Sequence, residues 1–255
     1  MENWALILGA SSGIGAACAK RLAKKGINIY GLYLRKKNSE IDLIKKEISK
    51  YGVKAIFKKA NASNESSRQE VIQELKNMKN INCQFFIHSI AFGTLKKMID
   101  INKNELNKKN IDMTMDVMCN NLIYWTQDLF HNKLINKGSH ILSMTSSGGR
   151  KNWNNYGAVS LAKAGLESAT RQLSIELAQY EISVNTIQAG ITDTKALRLI
   201  PGSEKMIEKA IQSNPHKRIT TPSDIADFIE LMIYYKSSWL TGNIIRLDGG
   251  EDITV

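Results

Sequence analysis

The feature that most constrains the fold lies near the start of the sequence, where a short apolar run leads into a glycine-rich turn. Residues 5–8 are typical of a buried strand, and Gly-Ala-Ser-Ser-Gly-Ile-Gly follows directly, before a segment of helical period. Glycines between a first strand and a first helix let the backbone approach a pyrophosphate, which the free N–H groups of the helix N-terminus bind. This context predicts a dinucleotide site. Its expected residues are Gly9, Ser11, Ser12, Gly13, Ile14 and Gly15.

Short β-rich runs alternate with longer helical segments along the whole sequence. This alternation is typical of a parallel sheet with crossover helices. No linker or repeat divides the chain, so we expect residues 1–255 to form a single domain. The predicted fold class is α/β, a Rossmann fold with a doubly wound, seven-stranded parallel sheet and helices on both faces. Strands are expected at 5–8, 27–33, 54–57, 84–88, 140–144, 183–188 and 243–247, and helices at 13–25, 39–51, 64–79, 103–135, 154–180, 203–213 and 222–235.

The composition limits the classes of partner. No apolar run reaches the roughly 18 residues of a membrane span, and no signal-like segment precedes the first strand, so we expect a cytoplasmic protein. The three cysteines are too widely spaced for a disulfide framework or a metal site. The net charge of +11 comes from scattered lysine pairs, which indicate either solvated helix faces or a surface that attracts an anionic partner, such as an acidic carrier protein. No aromatic residues interleave with these pairs, so no nucleic-acid site is predicted.

The end of the second predicted strand favours one dinucleotide over the other. NAD sites usually carry Asp or Glu here, because a carboxylate accepts a hydrogen bond from the ribose 2′-hydroxyl. In this sequence the strand runs into Tyr-Leu-Arg-Lys-Lys, and the first acidic residue is Glu40. Arg35 and Lys36 suit a 2′-phosphate and favour NADPH; the alternative is a solvent-exposed basic loop. We also expect Asn61 and Ala62 near the adenine, and His88, Ser89, Ile90 and Ala91 under the nicotinamide ribose.

Later landmarks carry a resemblance to a known family. They are Tyr156, Lys163-Ala164, Val184-Asn185, Gly190 with Thr194, and Leu-Asp-Gly-Gly at 247–250. With the glycine turn, they resemble the short-chain dehydrogenase/reductase superfamily over almost the whole chain. Most members have Tyr-x3-Lys, but position 159 is valine, and the tyrosine three residues earlier gives Tyr-x6-Lys. That wider spacing resembles the enoyl-acyl-carrier-protein reductases.

Three other segments resemble the same subfamily. His-Ser-Ile-Ala-Phe at 88–92 stands where ketone-reducing relatives usually carry Asn-Asn-Ala-Gly. The asparagine that those relatives use in a proton relay falls at Met118, which cannot relay a proton. The ordinary Gly-x3-Gly-x-Gly loop and the tail from Asp193 through Gly250 resemble those of the NADPH-using enoyl reductases.

Two serines are alternative substrate contacts. Many enoyl reductases have a second tyrosine ten residues before the catalytic one, and here that position is Ser146. Ser143 stands where the serine of ketone-reducing members falls when it is counted from the tyrosine; counted from the lysine, that serine is Ser146. Either hydroxyl suits a contact with a substrate carbonyl, and either is equally suited to a hydrogen bond within the strand-end turn.

The resemblance implies roles for particular residues. Tyr156 would donate to the thioester carbonyl, and Lys163 would hold the nicotinamide ribose and favour the enolate through its charge. Thr194 would bind the nicotinamide carboxamide. The expected cofactor contacts after the sixth strand are Gly190, Ile191, Thr192 and Thr194.

The sequence itself predicts a lid, and the resemblance implies an assembly. Segment 195–216 suits a mobile lid over an acyl chain, although an amphipathic helix packed on the core fits its pattern equally well. Phe92 and Trp153 are further pocket candidates. A homotetramer is implied, with the helices near 103–135 and 154–180 as candidate interfaces.

The function expected from these features is NADPH-dependent reduction of the double bond of an enoyl thioester, carried on an acyl-carrier protein or coenzyme A. One alternative is a 3-ketoacyl or other carbonyl reductase of the same superfamily, which the valine at 159 and Met118 disfavour. A non-catalytic NADPH-binding regulator is another, disfavoured because Tyr156 and Lys163 are both present.

Overall fold

The computed structural model describes residues 1–78 and 80–254, and within them a seven-stranded parallel sheet forms the centre of the chain. The strands are β1 (Glu2–Leu8), β2 (Asn28–Tyr33), β3 (Ala55–Lys59), β4 (Ile81–His88), β5 (His140–Ser146), β6 (Ser183–Ala189) and β7 (Ile244–Leu247). They are hydrogen-bonded in the order β3-β2-β1-β4-β5-β6-β7, and every pair is parallel. The predicted fold class is therefore confirmed.

Helices connect the strands and cover both faces of the sheet. They are α1 (Gly13–Lys24), α2 (Asn38–Ser49), α3 (Glu65–Asn77), α4 (Lys108–Met115), α5 (Asn121–His131), α6 (Gly157–Leu177), α7 (Lys195–Arg198), α8 (Ser203–Ser213) and α9 (Pro222–Leu231). The helix expected at 64–79 ends at Asn77, and its predicted last residue, Lys79, lies outside the described residues.

The helix expected at 103–135 is shorter and interrupted. It begins at Lys108, because the Asn107 side chain accepts a hydrogen bond from the Asn110 N–H at 3.0 Å and so caps the N-terminus. A five-residue π-helical turn, Asp116–Asn120, then separates α4 from α5. Such turns are often found at functional sites.

Side chains that alternate in direction along each strand divide the core into two layers, one on each face of the sheet. In β1, Leu6 and Leu8 join one buried cluster, which contains residues of α3, α5 and α6. Ala5 and Ile7 join the other, which contains residues of α1, α2 and α9. Because successive side chains of a strand point to opposite faces, one apolar strand supplies both layers.

The order of the strands indicates where in the sheet a functional site is expected. The sheet grows from β1 towards β2 on one side and towards β4 on the other, so the connections after these strands leave in opposite directions. A crevice forms at the carboxyl ends of strands at such a switch point, and nucleotides bind there in folds of this class. The segments that follow β1, β2 and β4 therefore meet at one edge of the sheet.

Residues 1–78 and 80–254 were searched for a membrane-spanning helix, for disulfides and for a metal site. No helix among them combines the length and apolarity needed to cross a membrane. The three cysteines are buried and free. No cluster of His, Cys, Asp or Glu side chains in the same residues is arranged to hold a metal ion.

The packing of α6 against the sheet can be measured with a leucine pair. Leu166→Ala removes a fully buried side chain, and we expect it to lower the free energy of unfolding by about 2–5 kcal/mol, because burial is lost and a cavity remains. Leu43→Ala, at a position of α2 that is 68% exposed, should change it by less than about 0.5 kcal/mol. Urea unfolding of both variants measures the difference. Equal losses would contradict this description of the core.

Candidate active site

The glycine turn brings three backbone segments into close approach. Gly9 has a φ of +86°, and a Cβ at this position would lie 2.3 Å from the carbonyl oxygen of Ser89, in the segment after β4. A Cβ at Gly15 would lie 2.3 Å from the carbonyl oxygen of Gly9. The N–H groups of Gly9 and Ala10 both donate to the carbonyl of Leu32 in β2, at 3.1 and 2.9 Å. Only glycine allows strand, turn and helix to pack this tightly.

The N-terminus of α1 is available to an anion. The Ser12 hydroxyl makes no capping hydrogen bond, and no acidic side chain lies in the first turn of this fully described helix. Ser12 is exposed, and Ser11, Gly13 and Ile14 are half-buried at the same surface. The backbone cradle and the uncapped helix end fit a dinucleotide pyrophosphate.

At the end of β2, the two predicted phosphate ligands have different surroundings. The Arg35 guanidinium lies 3.7 Å from the ring centroid of Phe92, a residue of the segment after β4. This cation–π contact holds the guanidinium across the carboxyl end of β1. Lys36 is hydrogen-bonded to Glu40 instead, so part of its positive charge is already compensated. Arg35 is therefore the more available cation.

The segment expected near the adenine is held by α5. Asn61 is exposed, and its side-chain oxygen accepts a hydrogen bond from the Ser63 N–H at 3.1 Å. The buried Trp125 donates its indole N–H to the carbonyl of Ala62 at 3.0 Å. Asn121 donates its side-chain amide to the Ser63 hydroxyl at 2.9 Å. These bonds fix a loop whose polar tip, Asn61, faces solvent.

Among the residues expected to line the floor under the nicotinamide ribose, His88 has a buried side chain. His88 ends β4 in register with Leu8 and Ser143, and its ring is fully buried between the neighbouring strands. Burial, together with the positive charge of Lys163, lowers the pKa of His88 to about 3, so the ring is neutral at physiological pH. The surface above it is formed by Ser89 and Ile90, which are half-buried, and Ala91, which is exposed.

Tyr156 and Ser146 converge at the carboxyl end of β5. Tyr156 directly precedes α6, and Ser146 is the last residue of β5. A Cβ at Gly148 would lie 2.6 Å from Cε1 of Tyr156 and 3.2 Å from the hydroxyl oxygen of Ser146. Burial raises the pKa of Tyr156, and the Ser146 hydroxyl partly opposes that rise. The two hydroxyl-bearing side chains thus both lie against Gly148 at the carboxyl end of β5.

Lys163 lies on the inner face of α6. Its side chain is only 5% exposed, and its Nζ donates to the carbonyl oxygen of Met144 at 2.5 Å. Burial lowers the pKa of Lys163 to about 8, against the opposing negative charge of Glu167. Glu167 is itself 6% exposed. Its importance was missed in the sequence, although its spacing of four residues from Lys163 in a predicted helix was a visible signal.

Ser143 does not join the site. Its hydroxyl lies 2.6 Å from the Thr186 hydroxyl, which lies 2.6 Å from the Thr170 hydroxyl of α6. All three residues are buried. Ser143 therefore belongs to a hydroxyl chain between β5, β6 and α6, and the expectation that it contacts substrate is replaced by this packing role. Ser146 remains the serine near Tyr156.

The segment after β6 closes the crevice opposite the glycine turn. Gly190 has no room for a side chain, because a Cβ would lie 2.5 Å from the Thr220 hydroxyl oxygen. The Ile191 N–H donates to the Glu251 carboxylate at 3.0 Å, and the Thr192 hydroxyl donates to the Gly190 carbonyl at 2.9 Å. The Thr194 methyl carbon lies 3.4 Å from where a Gly13 Cβ would be. The two expected cofactor-binding turns therefore face each other.

The position where most relatives have a tyrosine cannot contribute a polar group. Val159 is 4% exposed and packs in a cluster with Met118, Cys119 and Ala162, against which the Tyr156 ring also lies. Met118, at the predicted position of the relay asparagine, is 1% exposed within the π-helical turn. This apolar cluster leaves Tyr156 as the phenol next to Ser146.

Comparison with known proteins adds a family and a fold. The family model described as enoyl-(acyl carrier protein) reductase matches residues 9–251. The enoyl-acyl-carrier-protein reductase (NADH) FabI of Enterococcus faecalis is 26% identical over 242 residues, which are 94% of this chain and 93% of that protein. The 3-oxoacyl-acyl-carrier-protein reductase FabG of Aquifex aeolicus is 26% identical over 249 residues, covering 96% and 95%. The crystal structure of FabI from Candidatus Liberibacter asiaticus superposes with a TM-score of 0.86 at 24% identity, covering 100% and 96%.

The close approach at the glycine turn predicts a specific loss of cofactor binding. Gly9→Ala should raise the Kd for a nicotinamide dinucleotide at least about tenfold, because its Cβ would displace the Ser89 backbone. Gly52→Ala is the matched control: Gly52 has a φ of +72° with no atom within 4 Å of the added Cβ. It incurs the same backbone strain of about 1 kcal/mol without the clash, and should leave the Kd unchanged. Fluorescence titration measures both, and equal Kd values would contradict the cradle.

Proposed function

The chain belongs to the enoyl-(acyl carrier protein) reductase family, and on that premise we propose that it reduces the conjugated double bond of an enoyl thioester with NADPH. The convergence of Tyr156 and Ser146 beside the buried Val159 carries this proposal. The phenol stands three residues before position 159, where the usual Tyr-x3-Lys spacing would place it, so it addresses a different oxygen from the one that a ketone presents.

Each side chain has a defined task in this reaction. A nicotinamide dinucleotide bound at the glycine turn supplies the hydride. Tyr156 donates a hydrogen bond to the thioester carbonyl oxygen, where negative charge develops as the β-carbon is reduced. Ser146, next to Tyr156, orients that oxygen. The positive charge of Lys163 below them stabilises the developing enolate and holds the ribose hydroxyls.

The preference for NADPH rests on Arg35. The guanidinium is exposed and held against Phe92 at the end of β2, where a 2′-phosphate accepts charge-assisted hydrogen bonds. Lys36, paired with Glu40, contributes less. The name of the E. faecalis relative specifies NADH, so a preference for NADPH would be a difference between this chain and that relative.

Exposed apolar side chains near the site bear on the substrate and on the assembly. We propose that α7, α8 and the turn between them form a lid over the acyl chain, since Leu199 in that turn is 73% exposed. The thioester is carried by an acyl-carrier protein or coenzyme A, in acyl-chain biosynthesis. We further propose a homotetramer whose interfaces include the outer face of α6, where Leu161 and Ile175 are exposed.

The test of the reaction is NADPH oxidation with two substrates. A trans-2-enoyl thioester should be turned over, and the matching 3-ketoacyl thioester should not. Turnover of the keto substrate alone would make the protein a carbonyl reductase, the activity in the name of the A. aeolicus relative. Binding of NADPH with turnover of neither substrate would favour a non-catalytic role.

Tyr156→Phe tests the proposed hydrogen-bond donor. We expect kcat for the enoyl thioester to fall about 100-fold or more, because a donor to the developing oxyanion is lost. Tyr51→Phe, which changes an exposed tyrosine after α2, should leave kcat unchanged. A Tyr156→Phe variant that keeps full kcat would exclude this role of Tyr156.

Arg35→Leu tests the cofactor preference. The variant should raise the Kd for NADPH about tenfold or more, since a hydrogen bond to a charged group contributes about 1.5–3 kcal/mol. The Kd for NADH, which lacks the phosphate, should change little. Isothermal titration with both cofactors measures the ratio; a parallel change in both Kd values would argue against a phosphate contact.

A further inference from the structure

A buried carboxylate lies beneath the active site and has no role in the proposed reaction so far. Glu167 lies on the inner face of α6, one helical turn after Lys163, and only 6% of it is exposed. The Thr145 hydroxyl of β5 donates to its Oε1 at 2.7 Å. Burial of a charged carboxylate carries a large desolvation cost unless the charge is compensated. A buried positive charge near Glu167 would provide this compensation.

The surroundings of Lys163 identify that residue. Three titratable groups face its side chain: His88 from β4, Cys119 from the π-helical turn and Glu167 from α6. His88 is neutral at physiological pH because burial lowers its pKa to about 3. Burial also raises the pKa of Cys119, so its thiol keeps its proton. The negative charge of Glu167 is the larger influence that opposes the desolvation of Lys163, and Cys119 is the smaller one.

The backbone fixes the carboxylate in this place. The turn after β5 passes so close that a Cβ at Gly149 would lie 2.9 Å from Oε1 of Glu167 and 3.5 Å from Cβ of Lys163. Thr145 holds the same oxygen from the sheet side. The carboxylate is thus enclosed by strand, turn and helix, on the same side of α6 as Lys163.

We propose that Glu167 is a positioning residue whose buried negative charge keeps Lys163 in its ammonium form beneath Tyr156. This inference rests on the proposed function, since the ammonium is what stabilises a developing enolate. Burial favours the neutral amine, and the charge of Glu167 is the largest influence that opposes it. A neutral Lys163 would still donate hydrogen bonds and would lose its electrostatic effect.

The test is a direct titration of Lys163 in the free protein. In a sample with ¹³C-labelled lysine, NMR follows each side chain against pH, and the Lys163→Arg variant identifies the signal. Wild type should titrate near pH 8. Glu167→Gln keeps an acceptor for the Thr145 hydroxyl and removes the charge, so the neutral amine becomes easier to form. We expect the midpoint to fall by about one pH unit, a tenfold change in the ratio of amine to ammonium at a given pH.

Thr145→Val is the matched control, because it removes the hydrogen bond and keeps the carboxylate. Its Lys163 midpoint should stay close to that of wild type. An unchanged midpoint in Glu167→Gln would overturn the proposal, and so would an equal fall in both variants, which would make the hydrogen bond the cause. If Glu167→Gln does not fold, Glu167→Asp, which retains the charge, should titrate near wild type; a fall of about one unit there would equally overturn it.

A second readout links this charge to the active site. The pH above which NADPH binding weakens should move down with the Lys163 midpoint in Glu167→Gln and stay in place in Thr145→Val. Both measurements are independent of turnover. Absence of enoyl reduction would therefore defeat the proposed function and leave the titration result standing.

Discussion

The close approach of the Gly9 turn to the Ser89 carbonyl is the constraint on which the rest of the site depends. It forces the segments after β1 and β4 together at the point where the sheet changes direction. Arg35 of the β2 end then reaches Phe92 across the same edge. A side chain at Gly9 would separate these segments, and the glycine turn, Arg35 and the segment after β4 would no longer be held in their present positions.

Below this edge, buried polar groups set the chemistry. Lys163, Glu167 and Thr145 are all less than 9% exposed, and His88 is fully buried. Charges in such surroundings interact more strongly than at a surface, and each is costly without a partner. The arrangement therefore places the side chains of His88, Lys163 and Glu167 together in the interior. In the proposed reaction, their effects would reach the reacting oxygen through Lys163 and Tyr156.

The features predicted well from sequence are those with local signals. The strand periods depend on neighbouring residues, and the seven-stranded sheet confirms the predicted strands. The spacing of Tyr156 and Lys163 pointed to the family that residues 9–251 match.

The features missed depend on distant partners. The π-helical turn has no local pattern, and the burial of Ser143 against Thr186 requires knowledge of which strands pair. Glu167 looks like a solvated helix residue until α6 is packed against β5. The ion pair of Lys36 with Glu40, in contrast, could have been predicted from the sequence. The two residues are four positions apart, which is the spacing of neighbours on a helix face.

The most direct measurement is a crystal structure with NADPH and an unreactive enoyl-thioester analogue. We expect the Tyr156 hydroxyl to lie within hydrogen-bonding distance, about 2.6–3.2 Å, of the thioester carbonyl oxygen, with Ser146 beside it and Lys163 below. A carbonyl bound away from Tyr156, with the phenol remaining against Val159 and Met118, would contradict it.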